Sequence, residues 1–250
     1  MKILSILLVL VLPLTGFAAG PSVPLDRADI DLGNQASLQR GLKNFVNYCM
    51  GCHSAAYSRF NRVGRDLGID DEQMAKNLIF TTDEVGEQKK VGDLMKVVMT
   101  KRYAKEAFGI EPPDLSLVAR SRGADWLYTY LRTFYLDDSR PMGVNNLVFP
   151  GVGMPHVMWE LQGWQVKQVE AVDDGRGHKH EKVSLVLATP GTMTPSEFDG
   201  AMRDLTNFLV YLAEPYKLQR QQWGVIVMLF LAGFAVLAYF LKKEYWKDVH

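Results

Sequence analysis

The chain has 250 residues, enough for one sizeable domain with additions, and a second full core is not required. Its 28 Lys and Arg balance 28 Asp and Glu, so net charge gives no argument for a nucleic-acid partner. The hydrophobic share of 48% is ordinary, but much of it sits at the two ends.

Met1-Lys2, a largely apolar run from Ile3 to Leu12, Pro13, Gly16 and the pair Ala18-Ala19 follow the order of a secretory signal peptide. The run is too short to span a bilayer and lacks the Arg- and Ser-rich character of a mitochondrial transit peptide. Residues 1–19 are therefore expected to direct bacterial export, with cleavage near Ala18 or Ala19. Residues 20–221 are expected to form one periplasmic domain.

Within it, Leu38, Leu42, Phe45 and Val46 recur at helical spacing over Ser37 to Tyr48 and lead straight into Cys49. A second helix is expected over Asp93 to Tyr103, with Met95 and Met99 on its packed face. A third is expected over Leu115 to Tyr135. Pro141 to Pro155, rich in Pro, Gly and Asn, reads as loop. Gln165 to Ala171 and Glu181 to Ala188 are β-prone around the turn signal Asp173-Asp174-Gly175-Arg176-Gly177, which predicts a hairpin. Pro195 and Ser196 open a helix over Glu197 to Leu212 that Pro215 ends.

Trp223 to Leu241 carries no charge, and its 19 residues at 1.5 Å each cover about 28 Å, close to the hydrocarbon thickness. Trp223 and Tyr239 stand where aromatic belts belong. Residues 222–241 are thus expected to anchor the chain in the bacterial inner membrane. Lys242, Lys243 and Lys247 place the tail, 242–250, in the cytoplasm. The predicted fold class is mainly α, with a small β-hairpin insertion and one C-terminal transmembrane helix.

Cys49-Met50-Gly51-Cys52-His53 is the C-x-x-C-H signature of covalent haem attachment, so the domain ahead of the anchor is expected to be a cytochrome c-like haem domain. Each thiol adds to a haem vinyl group, the two-residue spacer sets both sulfurs along one ring edge, and His53 can supply the proximal imidazole. A zinc site needs more ligands than this chain's two cysteines offer, and His178 and His180 read as solvated turn residues. A thioredoxin-like dithiol needs a βαβ frame, whereas a helix precedes the motif. One haem c is therefore expected, with His53 on the iron.

A sulfur sixth ligand would close the iron and favour electron transfer over catalysis. Of eleven methionines, Met50 is locked in the attachment loop, and Met202 and Met228 lie in the last two helices. Loop residues Met142, Met154 and Met158 remain. Met154 is best placed, because Gly151 and Gly153 let backbone pass close to a ring and Pro155 holds Met154 extended.

Pro112-Pro113-Asp114-Leu115-Ser116, Phe149-Pro150-Gly151-Val152-Gly153-Met154-Pro155 and Arg203-Asp204-Leu205-Thr206-Asn207-Phe208-Leu209 follow the haem motif in order, ahead of the tail anchor. Together they resemble the cytochrome c1 family, in its bacterial members, over nearly the whole mature chain. The resemblance implies that Met154 is the sixth ligand, making the metal ligands His53 and Met154. It implies an electron-transfer subunit of the cytochrome bc1 complex, reduced by the Rieske iron–sulfur protein and oxidised by a soluble cytochrome c or an equivalent acceptor. Partnership with cytochrome b in a dimeric complex within membrane lipid is implied too. An arginine after the Pro-Pro-Asp-Leu-Ser segment pairs with a haem propionate in such proteins; Arg120 and Arg122 both fall there, with Arg122 slightly preferred. Pro113, Tyr103 and Trp126 are expected to wall the haem.

Acidic residues at Asp70-Asp71-Glu72 and at Asp83, Glu84 and Glu87 could steer a basic cytochrome c or simply solvate a surface. The sequence departs from some relatives in having no second cysteine pair to brace the Met154 loop. A free-standing tethered shuttle is the alternative function, and a self-contained haem enzyme would need an open iron position.

Overall fold

The computed structural model describes residues 23–83, 85–173 and 179–248. The expected signal peptide lies outside the described residues, as do Glu84, His178 and the predicted tip of the hairpin. Nearly half of the described residues are helical, and the strands form three separate two-stranded antiparallel sheets.

Helix α1, Gln35–Asn44, starts where the Asn34 side chain accepts from the Ser37 backbone N–H. It buries Leu38 and Leu42, and a π-helical turn, Phe45–Cys49, continues it. That wider turn shifts the register at the end of the predicted helix and delivers Cys49 into the core.

Across α1 runs α8, Pro195–Ala213. It opens with a reciprocal cap between Thr194 and Glu197, with Pro195 in its first turn. The crossing is close at Gly41: a Cβ there would lie 2.1 Å from the Asp204 carbonyl oxygen and 2.6 Å from Phe208 Cβ. Phe45 and Phe208 then pack with ring centroids 5.5 Å apart. Polar groups lock the crossing. Arg40 donates twice to Asp204 at 2.5 and 3.0 Å, Ser37 Oγ donates to Asp204 at 2.6 Å, and Asn207 Nδ2 donates to the Asp31 carbonyl and Ser37 Oγ. Arg203 Nε reaches the Ala28 carbonyl, so the Arg203-to-Asn207 run ties the N-terminal segment to the core.

Two of the expected helices are differently built. In place of one helix from Asp93, the short strand β2, Leu94–Met95, pairs with β1, Ala55–Arg59, with a bulge. Helix α4, Lys101–Phe108, begins only after Thr100, whose hydroxyl accepts from the Tyr103 N–H. Met95 is fully buried on its strand, and Met99 lies in the connection between strand and helix. The stretch from Leu115 is split into α5, Val118–Arg122, and α6, Ala124–Arg132, by Gly123 at φ +90°. A side chain is strained at that φ, so the helix breaks there.

Helices α2, Phe60–Leu67, and α3, Asp71–Leu78, complete the N-terminal half. The predicted loop contains one short strand, β4, Val144–Asn146, paired with β3, Phe134–Leu136. Helix α7, Trp159–Gln162, leads into the hairpin of β5, Gly163–Asp173, and β6, Lys179–Pro190. The hairpin is longer than the alternation predicts, and Val169, Val183, Val186 and Leu187 on it are exposed.

Only Glu214, Pro215 and Tyr216 separate α8 from α9, Lys217–Tyr245. Helix α9 has no residue buried against the chain and is long and apolar enough to cross a membrane. The expected span 222–241 lies wholly inside it.

Candidate functional site

The attachment motif is a tight turn at the end of α1, in which the N–H groups of Cys52 and His53 donate to the Cys49 carbonyl at 3.1 and 2.8 Å. Both thiols are free. Burial, with Cys52 close by, pushes the Cys49 thiol up to about 12, and burial raises Cys52 too. Burial thus keeps both sulfurs in the thiol form.

His53 Nδ1 lies 2.7 Å from the Pro113 carbonyl. A carbonyl can only accept, so Nδ1 carries the proton and Nε2 presents its lone pair. Burial lowers the imidazole pKa, while the Pro113 bond and Asp114 oppose that shift. Asp114 is itself held by the N–H groups of Ala56 and Ser116, so the Pro112-to-Ser116 segment is stitched to β1.

Cys49, Cys52 and His53 open onto an apolar cavity of about 280 Å³. Five parts of the chain build it. The motif forms one wall. The end of α4 and the segment after it give Phe108, Ile110 and Pro113, while α5 and α6 give Val118, Arg122, Trp126 and Tyr130. The loop brings Phe149, Val152 and Met154, and α8 contributes Leu205 and Leu209. Trp126 and Tyr130, one turn apart, stack at 5.0 Å. Tyr130 O–H donates to Met154 Sδ at 3.3 Å, and burial keeps that phenol well above its usual pKa.

Of the three loop methionines, Met154 alone lines the cavity. Met158 is buried in the main core, and Met142 packs against Phe134, Val144 and Val152. His156 is buried and stacks on Phe134 at 5.1 Å, away from the cavity lining. A Cβ on Gly153 would come within 2.9 Å of Ile110 Cγ2, so the loop approaches closely just before Met154.

The structure brings Pro113 and Trp126 to the cavity, as expected, and separates the two arginines. Arg122 lines the rim, its guanidinium 5.0 Å from the Trp126 ring centroid and 5.7 Å from that of Phe149. Arg120 is off the lining; with Arg220 and Lys217 it helps hold the Glu214 carboxyl below the usual range. Tyr103 is also off the lining and 58% exposed. Because α4 starts after its cap, Thr100, its inward face carries Ala104 and Phe108, and Tyr103 turns to solvent. The acidic clusters have local structural roles: Asp70 caps α3, and Asp83 accepts from the N–H groups of Val85 and Glu87. Phe108, Ile110, Tyr130, Phe149, Leu205 and Leu209 were not singled out from sequence as site residues. The spacings Trp126 to Tyr130 and Leu205 to Leu209 are the signals that could have found some of them.

The family model described as "Cytochrome C1 family" matches residues 30–183 and 190–249. The chain belongs to the cytochrome c1 family. A protein named cytochrome c1 from Allochromatium vinosum is 49% identical over 100% of this chain and 99% of its own length. One named ammonia monooxygenase gamma subunit, from Nitrosomonas europaea, is 48% identical over 98% of this chain and 97% of its own. The mitochondrial cytochrome c1 heme protein of Saccharomyces cerevisiae is 25% identical over 86% of this chain and 68% of its own. Cytochrome c1 family membership implies a haem cofactor, and the residues present fit one. Two free thiols, an imidazole with its outer nitrogen free and a thioether sulfur border one apolar cavity with a cationic rim.

Proposed function

We propose that the chain is the electron-transfer subunit of a cytochrome bc1 complex. Cys49 and Cys52 would hold one haem by thioether bonds, with His53 and Met154 as the iron ligands. A haem so bound supplies a one-electron Fe(III)/Fe(II) couple, and no proton or atom is transferred. The carrying observation is that the motif's His53 and the loop's Met154 border the same apolar cavity, His53 hydrogen-bonded to the Pro113 carbonyl and Met154 to the Tyr130 hydroxyl. Pro113 orients the imidazole, Tyr130 orients the sulfur, and the apolar walls exclude water. The name of the Nitrosomonas europaea relative suggests an oxygenase, but a haem iron held by both His53 and Met154 would have no open position, and such a haem would serve as a relay.

In this reading the chain takes one electron from the reduced Rieske iron–sulfur protein and passes it to a soluble cytochrome c or an equivalent acceptor. Cytochrome b is its membrane partner, within a dimeric complex. The haem domain faces the periplasm of a bacterial inner membrane, with Lys242, Lys243 and Lys247 on the cytoplasmic side. Arg122, which lines the cavity, would pair with a haem propionate.

Mild detergent extraction tests the assignment. The c-type haem should co-purify with b-type haem and the Rieske protein; a lone c-type haem would favour the tethered shuttle. The ligand set has its own test. Met154→Leu should lower the midpoint potential and let the ferrous protein bind carbon monoxide, whereas an unchanged potential and continued resistance to carbon monoxide would remove Met154 from the iron.

A further inference from the structure

The segment between β3 and Met154 has little regular structure, and the chain's two cysteines are both in the attachment motif. Nothing covalent braces the loop that carries Met154. Its backbone N–H and carbonyl groups must nevertheless be paired where they are withdrawn from water, and side chains supply the partners.

Asn146 is fully buried at the end of β4. Its Oδ1 accepts from the N–H groups of Val148 and Phe149 at 2.9 and 3.1 Å, fixing the chain as it leaves the strand. Its Nδ2 donates to the Tyr130 carbonyl at 2.8 Å. Tyr130 is the residue whose hydroxyl donates to Met154 Sδ. Asn146 therefore ties the loop backbone to the helix position that also holds the sulfur.

Asn145 grips the loop further on. Its Oδ1 accepts from the Gly151 N–H at 2.8 Å, and its Nδ2 donates to Asp137 at 2.9 Å. Arg140 Nη2 donates to the Gly151 carbonyl at 3.0 Å. The peptide groups on both sides of Gly151 are thus held by side chains, at a residue whose φ of +80° suits glycine. Met154 follows three residues later.

We propose that Asn145, Asn146 and Arg140 form a hydrogen-bonded clamp that positions Met154 as iron ligand, taking the place of a covalent brace. The proposal rests on the reading of Met154 as the sixth ligand. The three are positioning residues, because none of them borders the cavity. The clamp keeps the sulfur close to the iron when the loop fluctuates. Weakening it raises the fraction of time the iron is open, without altering haem attachment at Cys49 and Cys52.

The test uses the holo-protein in its membrane complex, with Asn145→Ala, Asn146→Ala and Arg140→Ala compared against Met154→Leu. The readouts are the sulfur-to-iron charge-transfer absorption of the ferric form, carbon monoxide binding by the ferrous form, and covalent haem content. Each clamp variant should retain its haem, lose part of the charge-transfer band and bind carbon monoxide up to about tenfold faster per hydrogen bond lost. Asn146→Ala should have the largest effect. If Asn146→Ala does not accumulate, Asn145→Ala and Arg140→Ala, at half-buried positions, decide the matter. Wild-type band intensity and carbon monoxide resistance in those two variants overturn the clamp. If Met154→Leu is itself silent, the ligand reading fails; if it opens the iron while the clamp variants do not, the clamp alone fails.

Discussion

His53, Met154 and Arg122 show how single side chains are made specific by their neighbours. The Pro113 carbonyl selects the tautomer of His53, and the Tyr130 hydroxyl selects the orientation of the Met154 sulfur. Arg122 and Arg120 are two residues apart on a one-turn helix, yet only Arg122 reaches the cavity rim. A cation there favours the more negative ferrous haem, so Arg122→Gln should lower the midpoint potential. The rim is exposed and water screens it, so the expected effect is on the order of 1 kcal/mol or less, about 40 mV at most for one electron. Arg120→Gln should leave the potential unchanged. Redox titration of the two variants checks this, and equal shifts would show that neither arginine is special to the haem.

Among the elements, α8 carries the greatest burden, since it both crosses α1 and supplies Leu205 and Leu209 to the cavity. Its first turn is held by the Thr194–Glu197 cap, in which the Thr194 N–H and hydroxyl both bond the Glu197 carboxylate at 2.8 Å. Thr194→Ala should cost about 0.5–2 kcal/mol, read as a lower midpoint in thermal or denaturant unfolding. The same bonds hold the Glu197 pKa below its usual value. The cap's contribution is therefore full above the ordinary carboxylate range and is lost as pH falls through the depressed pKa. Glu197→Gln should flatten that acid-side loss of stability. This helix was legible in the sequence because Pro195, Glu197 and the apolar spacing agree. The helix expected over Asp93 to Tyr103 was not, because a strand pairing with β1 and the Thr100 cap outweigh local periodicity. Gly123 hides in an otherwise continuous pattern from Leu115, and only its backbone conformation reveals the break. That Cys49, Cys52, His53 and Met154 share one cavity was legible, because the chemistry expected of them demands particular residue types at particular spacings. Phe108 and Ile110 were not, since their contact with the loop depends on where α4 starts. Tyr103 failed as a wall residue for that same reason.

For the whole molecule, the question is how firmly the haem domain sits on its membrane helix. Three residues join α8 to α9, and side chains of α2 grip that joint. Arg62 Nη1 donates to the Tyr216 hydroxyl at 2.7 Å while its Nε is shared between the Asp66 oxygens at 2.8 and 2.7 Å. Tyr211, buried on α8, donates to Asp66 at 2.7 Å, so one carboxylate links α2, α8 and the joint. Arg220 bonds Glu214 at 2.5 Å, and Gln221 to Leu241 then runs charge-free for about 31 Å. A network of this kind outweighs an isolated surface pair because each member fixes the geometry of the next. It makes the connection a strut, which suits a haem held at one fixed height and tilt beside its partners better than a swinging shuttle. Arg62→Ala removes the central donor and should raise backbone amide exchange at Glu214 and Lys217 by roughly tenfold, corresponding to the loss of about 1–1.5 kcal/mol of local stability. The haem potential should stay at its wild-type value, because Arg62 does not border the cavity. Tyr216→Phe, which removes the hydroxyl that accepts from Arg62 and keeps the ring under its guanidinium, should show a smaller rise. Unchanged exchange in both variants would mean that the helices themselves fix the joint, and faster exchange with a shifted potential would mean that the strut and the haem site are coupled.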